Sequence, residues 1–207
     1  GEVEVENAGT IAGRGQASAA AGTAGDGIRL AGARLAEGGF ATALFTGSII
    51  NSVTVTAESQ PATVGAFRAF NGVDFQGVLV NEASGVFAGA QNGVYFGTGN
   101  HSGGSFVNID GVGLDVVNQG AILATGTQRN GTVYADGTAD NYTFTNQGTV
   151  DANGNDASGV SLQTGDVDGD IVSASIINQG AIFGGGDASA GNTIGDGLRL
   201  LSNVEDA

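Results

Sequence analysis

A short pattern, Asn-x-Gly-x-Ile/Val, recurs along the chain and limits the possible folds more than any other feature. It stands at Asn7-Ala8-Gly9-Thr10-Ile11, Asn118-Gln119-Gly120-Ala121-Ile122, Asn146-Gln147-Gly148-Thr149-Val150 and Asn178-Gln179-Gly180-Ala181-Ile182. Two degenerate copies lie between them. Asn51-Ser52-Val53-Thr54-Val55 lacks the glycine, and Ala83-Ser84-Gly85-Val86-Phe87 lacks the asparagine. Six occurrences make an internal repeat. From Asn7 to Asn178 the mean step is about 34 residues, a period that signals a solenoid or array. Single steps run from 28 residues (Asn118 to Asn146) to 44 (Asn7 to Asn51), as expected of loops of unequal length on a constant coil.

A second pattern, Gly-hydrophobic-x-hydrophobic, follows each first one. It appears at Gly27-Ile28-Arg29-Leu30, Gly93-Val94-Tyr95-Phe96, Gly131-Thr132-Val133-Tyr134, Gly159-Val160-Ser161-Leu162 and Gly197-Leu198-Arg199-Leu200, with an irregular copy near Gly65-Ala66-Phe67-Arg68. An apolar, β-branched block precedes each asparagine, as in Gly77-Val78-Leu79-Val80. Each unit therefore holds about three short strands separated by turn-forming residues. With 39 Gly and few good helix formers, a helical repeat of this period is excluded. A β-sandwich has no reason to repeat one three-part unit six times. The expectation is an all-β parallel β-helix (β-solenoid) of about six coils, forming a single domain over residues 1–207 that is least regular around 40–79. In such a coil, side chains alternate between interior and solvent, so Ile28 and Leu30 point in and Arg29 points out. Asn7, Asn51, Asn118, Asn146 and Asn178 are placed to form a corner ladder, each amide bonding along the axis to the next. Asparagine also tolerates the left-handed backbone of a sharp corner.

The formal charge of −15 comes from 21 acidic residues against six arginines, with no lysine. Such a surface repels phosphate backbones, which argues against nucleic-acid partners. No apolar run is long enough to span a bilayer as a helix. The chain has no Cys, so it has no disulfide framework and no thiolate chemistry. The start at Gly1-Glu2-Val3, without Met, reads as a processed or excised segment.

Candidate ligand sites are few. Asp151, Asn153 and Asn155, and then Asp166, Asp168 and Asp170, place oxygen ligands at alternate positions, as calcium loops do. The second set matches the first half of an EF-hand loop, but Ile177 stands where the twelfth-position Glu belongs. Two readings stay open, a calcium site or solvated acidic turns; no other cofactor is indicated. The single histidine, His101, sits in the Gly-rich Gly99–Gly104 and reads as a solvated loop residue. Half of the ten phenylalanines (Phe40, Phe45, Phe67, Phe70 and Phe75) fall in the irregular stretch and read as core packing of a wider coil, with an exposed binding patch as the alternative. Pro61 belongs to a loop between coils.

Nothing in the pattern points to catalysis. A carboxylate-pair hydrolase on this fold often carries an Asp-Asp doublet, and none occurs. Arg29 and Arg199, the arginines on equivalent strands, are about five coils apart. No Gly-x-Ser-x-Gly elbow accompanies His101. The expectation is a protein that is not an enzyme.

The combination of Asn-x-Gly-x-Ile with Gly-Asp-Gly-Ile/Leu-Arg-Leu (25–30 and 195–200) resembles the passenger β-helix of Gram-negative autotransporter adhesins and related haemagglutinin-like surface proteins. The resemblance covers nearly the whole chain and is weakest at 40–79. It implies export to the Gram-negative outer surface or the extracellular space. It also implies a rod with roles in adhesion, aggregation or biofilm matrix, and cell-surface or matrix glycans as partners. The alternative is a carbohydrate-binding or carbohydrate-active β-helix. The first and last coils are the most alike pair, and neither end shows a cap. Uncapped solenoid ends offer unpaired backbone and bare apolar layers to another chain. The expectation is head-to-tail self-association, or covalent continuation into further coils.

Overall fold

The computed structural model describes residues 2–14, 25–33, 35–36, 41, 43–58, 65–70, 73–97, 108–109, 114–125, 131–135, 138–139, 141–153, 158–164, 173–186 and 195–202. The chain winds through six coils of three strands each. Coil 1 holds β1 (Glu2–Asn7), β2 (Thr10–Gly13) and β3 (Ile28–Ala31), and coil 2 holds β4 (Ala43–Asn51), β5 (Thr54–Ala57) and β6 (Gly65–Phe70). Coil 3 holds β7 (Val73–Asn81), β8 (Val86–Gly89) and β9 (Asn92–Gly97). After the short β10 (Asn108–Ile109), coil 4 holds β11 (Leu114–Asn118), β12 (Ala121–Ala124) and β13 (Gly131–Ala135). The short β14 (Thr138–Ala139) pairs with β10, and coil 5 follows with β15 (Asn141–Asn146), β16 (Thr149–Ala152) and β17 (Ser158–Thr164). Coil 6 holds β18 (Ser173–Asn178), β19 (Ala181–Phe183) and β20 (Leu198–Ser202).

Corresponding strands stack in parallel into three six-stranded sheets. Sheet A is β1-β4-β7-β11-β15-β18, sheet B is β2-β5-β8-β12-β16-β19 and sheet C is β3-β6-β9-β13-β17-β20. This is a parallel β-helix. Parallel strands cannot be joined by a hairpin, and here two further strands and the corners between them bring the chain back one layer up.

The interior is built of in-register columns. Sheet A contributes Val5, Ile49, Leu79, Val116, Phe144 and Ile176. Sheet B contributes Ile11, Val55, Phe87, Ile122, Val150 and Ile182. Sheet C contributes Ile28, Phe67, Val94, Val133, Val160 and Leu198. Residues of coils 2 to 5 in these columns are fully or almost fully buried. Each such side chain contributes roughly 1.5–3 kcal/mol of hydrophobic stabilisation.

Two of the phenylalanines from the 40–79 stretch, Phe67 and Phe75, are buried and pack with Phe96 at ring-centroid distances of 5.3 to 6.3 Å. Phe45 is half-buried against the same cluster. Phe40, Pro61 and His101 lie outside the described residues, and of Phe70 only the backbone is described. Within the stretch expected to be least regular, β4 and β7 are nine residues each and pair without a break from Ala43↔Val73 to Asn51↔Asn81.

Two corrections to the repeat follow from the register. Coil 3 does have its asparagine: Asn81 pairs with Asn51 and Asn118, and Glu82-Ala83-Ser84 separates it from Gly85 where one residue suffices elsewhere. The frame at Gly131 is also slipped by one. Val133, not Thr132, stands in the inward column with Val94 and Val160, and Thr132 takes the place held by Gly93 and Gly159. That place is at the tight corner between sheets B and C. A Cβ on Gly93 would run into the Ile122 side chain across the corner. Glycine gives this close approach in four of the six coils, while Ala66 and Thr132 are accommodated, buried, in the other two.

Candidate functional site

The most regular construction in the molecule is the corner between sheets A and B. Each asparagine ends a sheet A strand and directs its amide along the axis. Asn7 Nδ2 donates to Asn51 Oδ1 at 2.8 Å, Asn51 to Asn81 at 2.9 Å, Asn81 to Asn118 at 2.8 Å, Asn118 to Asn146 at 2.7 Å and Asn146 to Asn178 at 2.8 Å. Each donating Nδ2 also reaches a backbone carbonyl of the following coil. These are Thr54, Val86, Ala121, Thr149 and Ala181, at 3.1 to 3.2 Å. A carbonyl oxygen only accepts, so this second bond fixes which amide atom is the nitrogen. The column therefore has a direction, every rung donating toward the C-terminal coil. Asn51, Asn81, Asn118 and Asn146 are buried with these bonds made, whereas Asn178 is exposed on the last coil.

The glycine after the asparagine belongs to the same corner. A Cβ on Gly148 would meet the carbonyl oxygen of Gly120 one coil below. Coil 2, with Val53 at this place, shows the consequence of a side chain. The amide of Thr54 reaches Gly9 O at 3.3 Å, while the equivalent bonds of Val86, Ala121, Thr149 and Ala181 are 2.7 to 2.9 Å. Outside the asparagines, Gln119, Gln147 and Gln179 form a second, exposed amide row at 3.3 and 3.2 Å.

The outer face of sheet C carries a column of polar and aromatic side chains. Arg29, Arg68, Tyr95, Tyr134, Ser161 and Arg199 share one outward column. The Arg68 guanidinium lies 5.1 Å from the Tyr95 ring centroid, and the Tyr95 and Tyr134 rings stack at 5.5 Å and 23°. Asp26, opposite Gly65, accepts the Gly65 amide at 3.0 Å and lies 3.4 Å from Arg68 Nη1. Its side chain is 1% exposed, so this is a buried carboxylate–guanidinium pair. In the interior, the Tyr142 hydroxyl is buried without a hydrogen-bond partner, and desolvation pushes its pKa well above the ordinary tyrosine value.

Of the oxygen ligands considered for calcium, Asp151 is half-buried and Asn153 exposed at the end of β16. Asn155, Asp166, Asp168 and Asp170 lie outside the described residues. Among the described residues there is no group of three or more His, Cys, Asp or Glu placed to hold a metal, and no helix long and apolar enough to cross a membrane. Arg29 and Arg199 stand at opposite ends of sheet C, separated by four coils, and share no site.

Asn81 is the functional corner residue that sequence reasoning missed. Its signal was present in the β-branched run Val78-Leu79-Val80 ending in Asn, but a search keyed to glycine two residues later passes over it. Comparison of the chain with protein-family models, with curated proteins and with solved structures finds no match.

Proposed function

We propose that this chain is a non-enzymatic, extracellular structural rod whose copies stack head to tail and which serves surface attachment, aggregation or matrix formation. The observation that carries the proposal is the direction of the asparagine column together with its two ends. At coil 6, Asn178 is exposed and its Oδ1 accepts from Asn146, which leaves its Nδ2 as the donor for a following coil; at coil 1, Asn7 Oδ1 accepts the amide of Gly9 at 3.2 Å, and a carbonyl oxygen has room for a second donor. Donor end and acceptor end are complementary. Two like ends are not, so a head-to-head pair would place donor against donor. A heterologous contact of this kind extends into a filament when it does not close.

The terminal strands match for such a junction. β1 and β18 are both six residues ending in Asn, and three residues later β2 and β19 begin. The inward Leu198 and Leu200 of coil 6 are exposed, an apolar layer that a further coil would cover. The net charge of −15 opposes stacking, because the end coils of two copies would lie ~4.8 Å apart, inside the Debye length of ~8 Å, so added salt is expected to favour assembly.

The resemblance to adhesin passengers supports the outer surface of a Gram-negative cell as the setting. The carbohydrate-binding alternative would need a row of accessible aromatic faces; the stacked Tyr95 and Tyr134 are only 6% and 9% exposed, and the exposed Phe183 stands apart from them on sheet B of the last coil.

Sedimentation of the 207-residue chain over a range of concentrations tests the proposal. The expected result is a mass that grows with concentration, with rods visible by electron microscopy and a 4.7–4.8 Å axial reflection from oriented fibres. A concentration-independent monomer at physiological salt overturns it.

A further inference from the structure

We infer that the junction between copies is locked by a carboxylate–guanidinium pair, Asp196 of one chain with Arg29 of the next, which reproduces between chains the Asp26–Arg68 pair found within one. This inference rests on the head-to-tail reading and adds the residues that set its strength and register.

The template is the boundary between coils 1 and 2. Ile28 pairs with Phe67 and Arg29 with Arg68, which sets Asp26 opposite Gly65. From there the Asp26 carboxylate reaches forward, to the Gly65 amide and the Arg68 guanidinium of the following coil. In the column through Asp26 the inner coils carry Gly65, Asn92, Gly131 and Ser158; only coil 6 has another carboxylate, Asp196. Coil 6 repeats the whole of the coil 1 unit, Gly195-Asp196-Gly197-Leu198-Arg199-Leu200 against Gly25-Asp26-Gly27-Ile28-Arg29-Leu30. The base of the preceding connection is pinched in the same way in both coils. A Cβ on Gly13 would meet the Gly25 and Asp26 carbonyls, and one on Gly184 the Gly195 and Asp196 carbonyls.

Asp196 is exposed, and so is Arg29 on the opposite end of the stack. Placing Asn7 of a second copy over Asn178 sets Ile11 over Ile182 and Ile28 over Leu198. The path from asparagine to this hydrophobe is 21 residues in coil 1 and 20 in coil 6, and the single-residue difference falls in the connection, outside the strands. Arg29 of the second copy then stands to Asp196 as Arg68 stands to Asp26. In register Arg29 of the second copy stacks on Arg199 and its Asp26 on Asp196, so the opposite charges of the two columns meet diagonally across the junction. The Asp196 carboxylate thus lies between guanidiniums, which offsets its approach to Asp26 of the second copy. Asp26 in coil 1 has its forward partner inside the chain; Asp196 has the same reach and finds its partner on another copy.

Charge reversal tests the lock, read by sedimentation with circular dichroism and melting of the dilute chain as controls for folding. Asp196→Arg, on an exposed residue, and Arg29→Asp each set like charges at the junction and are expected to weaken association at least ~10-fold. The double variant Arg29→Asp/Asp196→Arg restores an opposite pair and is expected to recover assembly. In an equimolar mixture of the two single variants both junctions between unlike variants bring opposite charges together, the wild-type pair at one and the pair of the double variant at the other, so the mixture is expected to recover assembly in alternating copies. Asp196→Asn, which removes charge without reversing it, is expected to fall between wild type and Asp196→Arg. If the wild-type chain is a monomer, the head-to-tail reading fails and the lock with it. If the wild type assembles and Asp196→Arg assembles equally well, the lock is overturned while the stacking stands. A folded double variant that fails to recover assembly overturns the lock in the same way.

Discussion

Coil 6 and the inner coils are made of the same residues in the same columns, yet they are buried very differently. Leu162 in coil 5 is 3% exposed, while Leu200, its in-register neighbour in coil 6, is 62% exposed. Asn146 is buried with its amide bonds made and Asn178, one rung on, is exposed. Asp26 is enclosed against Arg68, while Asp196 at the same place in the repeat faces solvent. The strand, the residue and the rotational position are shared in each pair. What differs is whether another coil follows. In a solenoid, burial belongs to the interface between neighbouring units more than to the unit itself, so stability is close to a sum over interfaces.

Substitutions placed in matched pairs can break or sharpen this contrast. The largest effect is expected in the packed interior. Phe144→Ala, at a fully buried position, should destabilise the chain by about 3–5 kcal/mol through lost transfer energy and the cavity left behind. Leu200→Ala should cost the isolated chain less than ~1 kcal/mol, because most of that side chain already meets water. Denaturant unfolding at low protein concentration measures both. A cost at Leu200 that rises toward the value expected of a buried leucine at high concentration would show that another coil covers it.

The carboxylates come next. Asp26→Ala leaves the Arg68 guanidinium buried without that partner and the Gly65 amide without its acceptor, and an expected loss of about 3 kcal/mol follows. Asp196→Ala should stay within about 0.5 kcal/mol in the isolated chain. Equal effects at the two sites would mean that coil position does not govern their environment.

A smaller difference is expected at the corner ladder. Asn118→Ala removes the side-chain acceptor of Asn81 Nδ2 on one side and the donor to Asn146 Oδ1 and Thr149 O on the other, with an expected loss of about 2 kcal/mol. In a chain of this length that lowers Tm by roughly 4–8 °C. Asn178→Ala removes one rung contact at an exposed site and should cost under ~1 kcal/mol.

The smallest effect has the opposite sign. Tyr142→Phe deletes a buried hydroxyl that makes no hydrogen bond, and is expected to raise stability by about 1 kcal/mol. The same burial makes stability sensitive to alkali. The hydroxyl pKa is raised in the folded chain, so the folded state holds its proton where the unfolded state releases it. Stability is then unaffected below the ordinary tyrosine pKa of about 10 and falls as pH rises above it. Melting curves of wild type and Tyr142→Phe should coincide in slope below that pH and diverge above it.

Much of this organisation was legible in the sequence, because a β-solenoid writes its period into the chain. Asn, turn, alternating hydrophobics and a second glycine recur in order, and strand alternation settles which of Ile28, Arg29 and Leu30 face inward. Register was harder to read. Asn81 was hidden by the three residues between it and Gly85, since hydrogen bonding along the axis needs the asparagine at the end of its strand and not a fixed distance from the next glycine. At Gly131 a neighbouring glycine mimicked the corner glycine, and only pairing with Val94 and Val160 shows that Thr132 occupies the corner.

The sequence by itself determined the repeat, the strand periodicity, the inward hydrophobic columns and the acidic character of the surface. These are local or periodic properties, readable wherever side-chain type alternates with position. Tertiary structure alone decided the vertical partners: Asn81 as a rung, Asp26 against Arg68, Tyr95 against Tyr134, and the direction in which every amide donates. Those partners lie about 30 or more residues apart along the chain but one strand spacing apart in space. Their meeting depends on the summed length of every connection between them, and no local pattern encodes that sum.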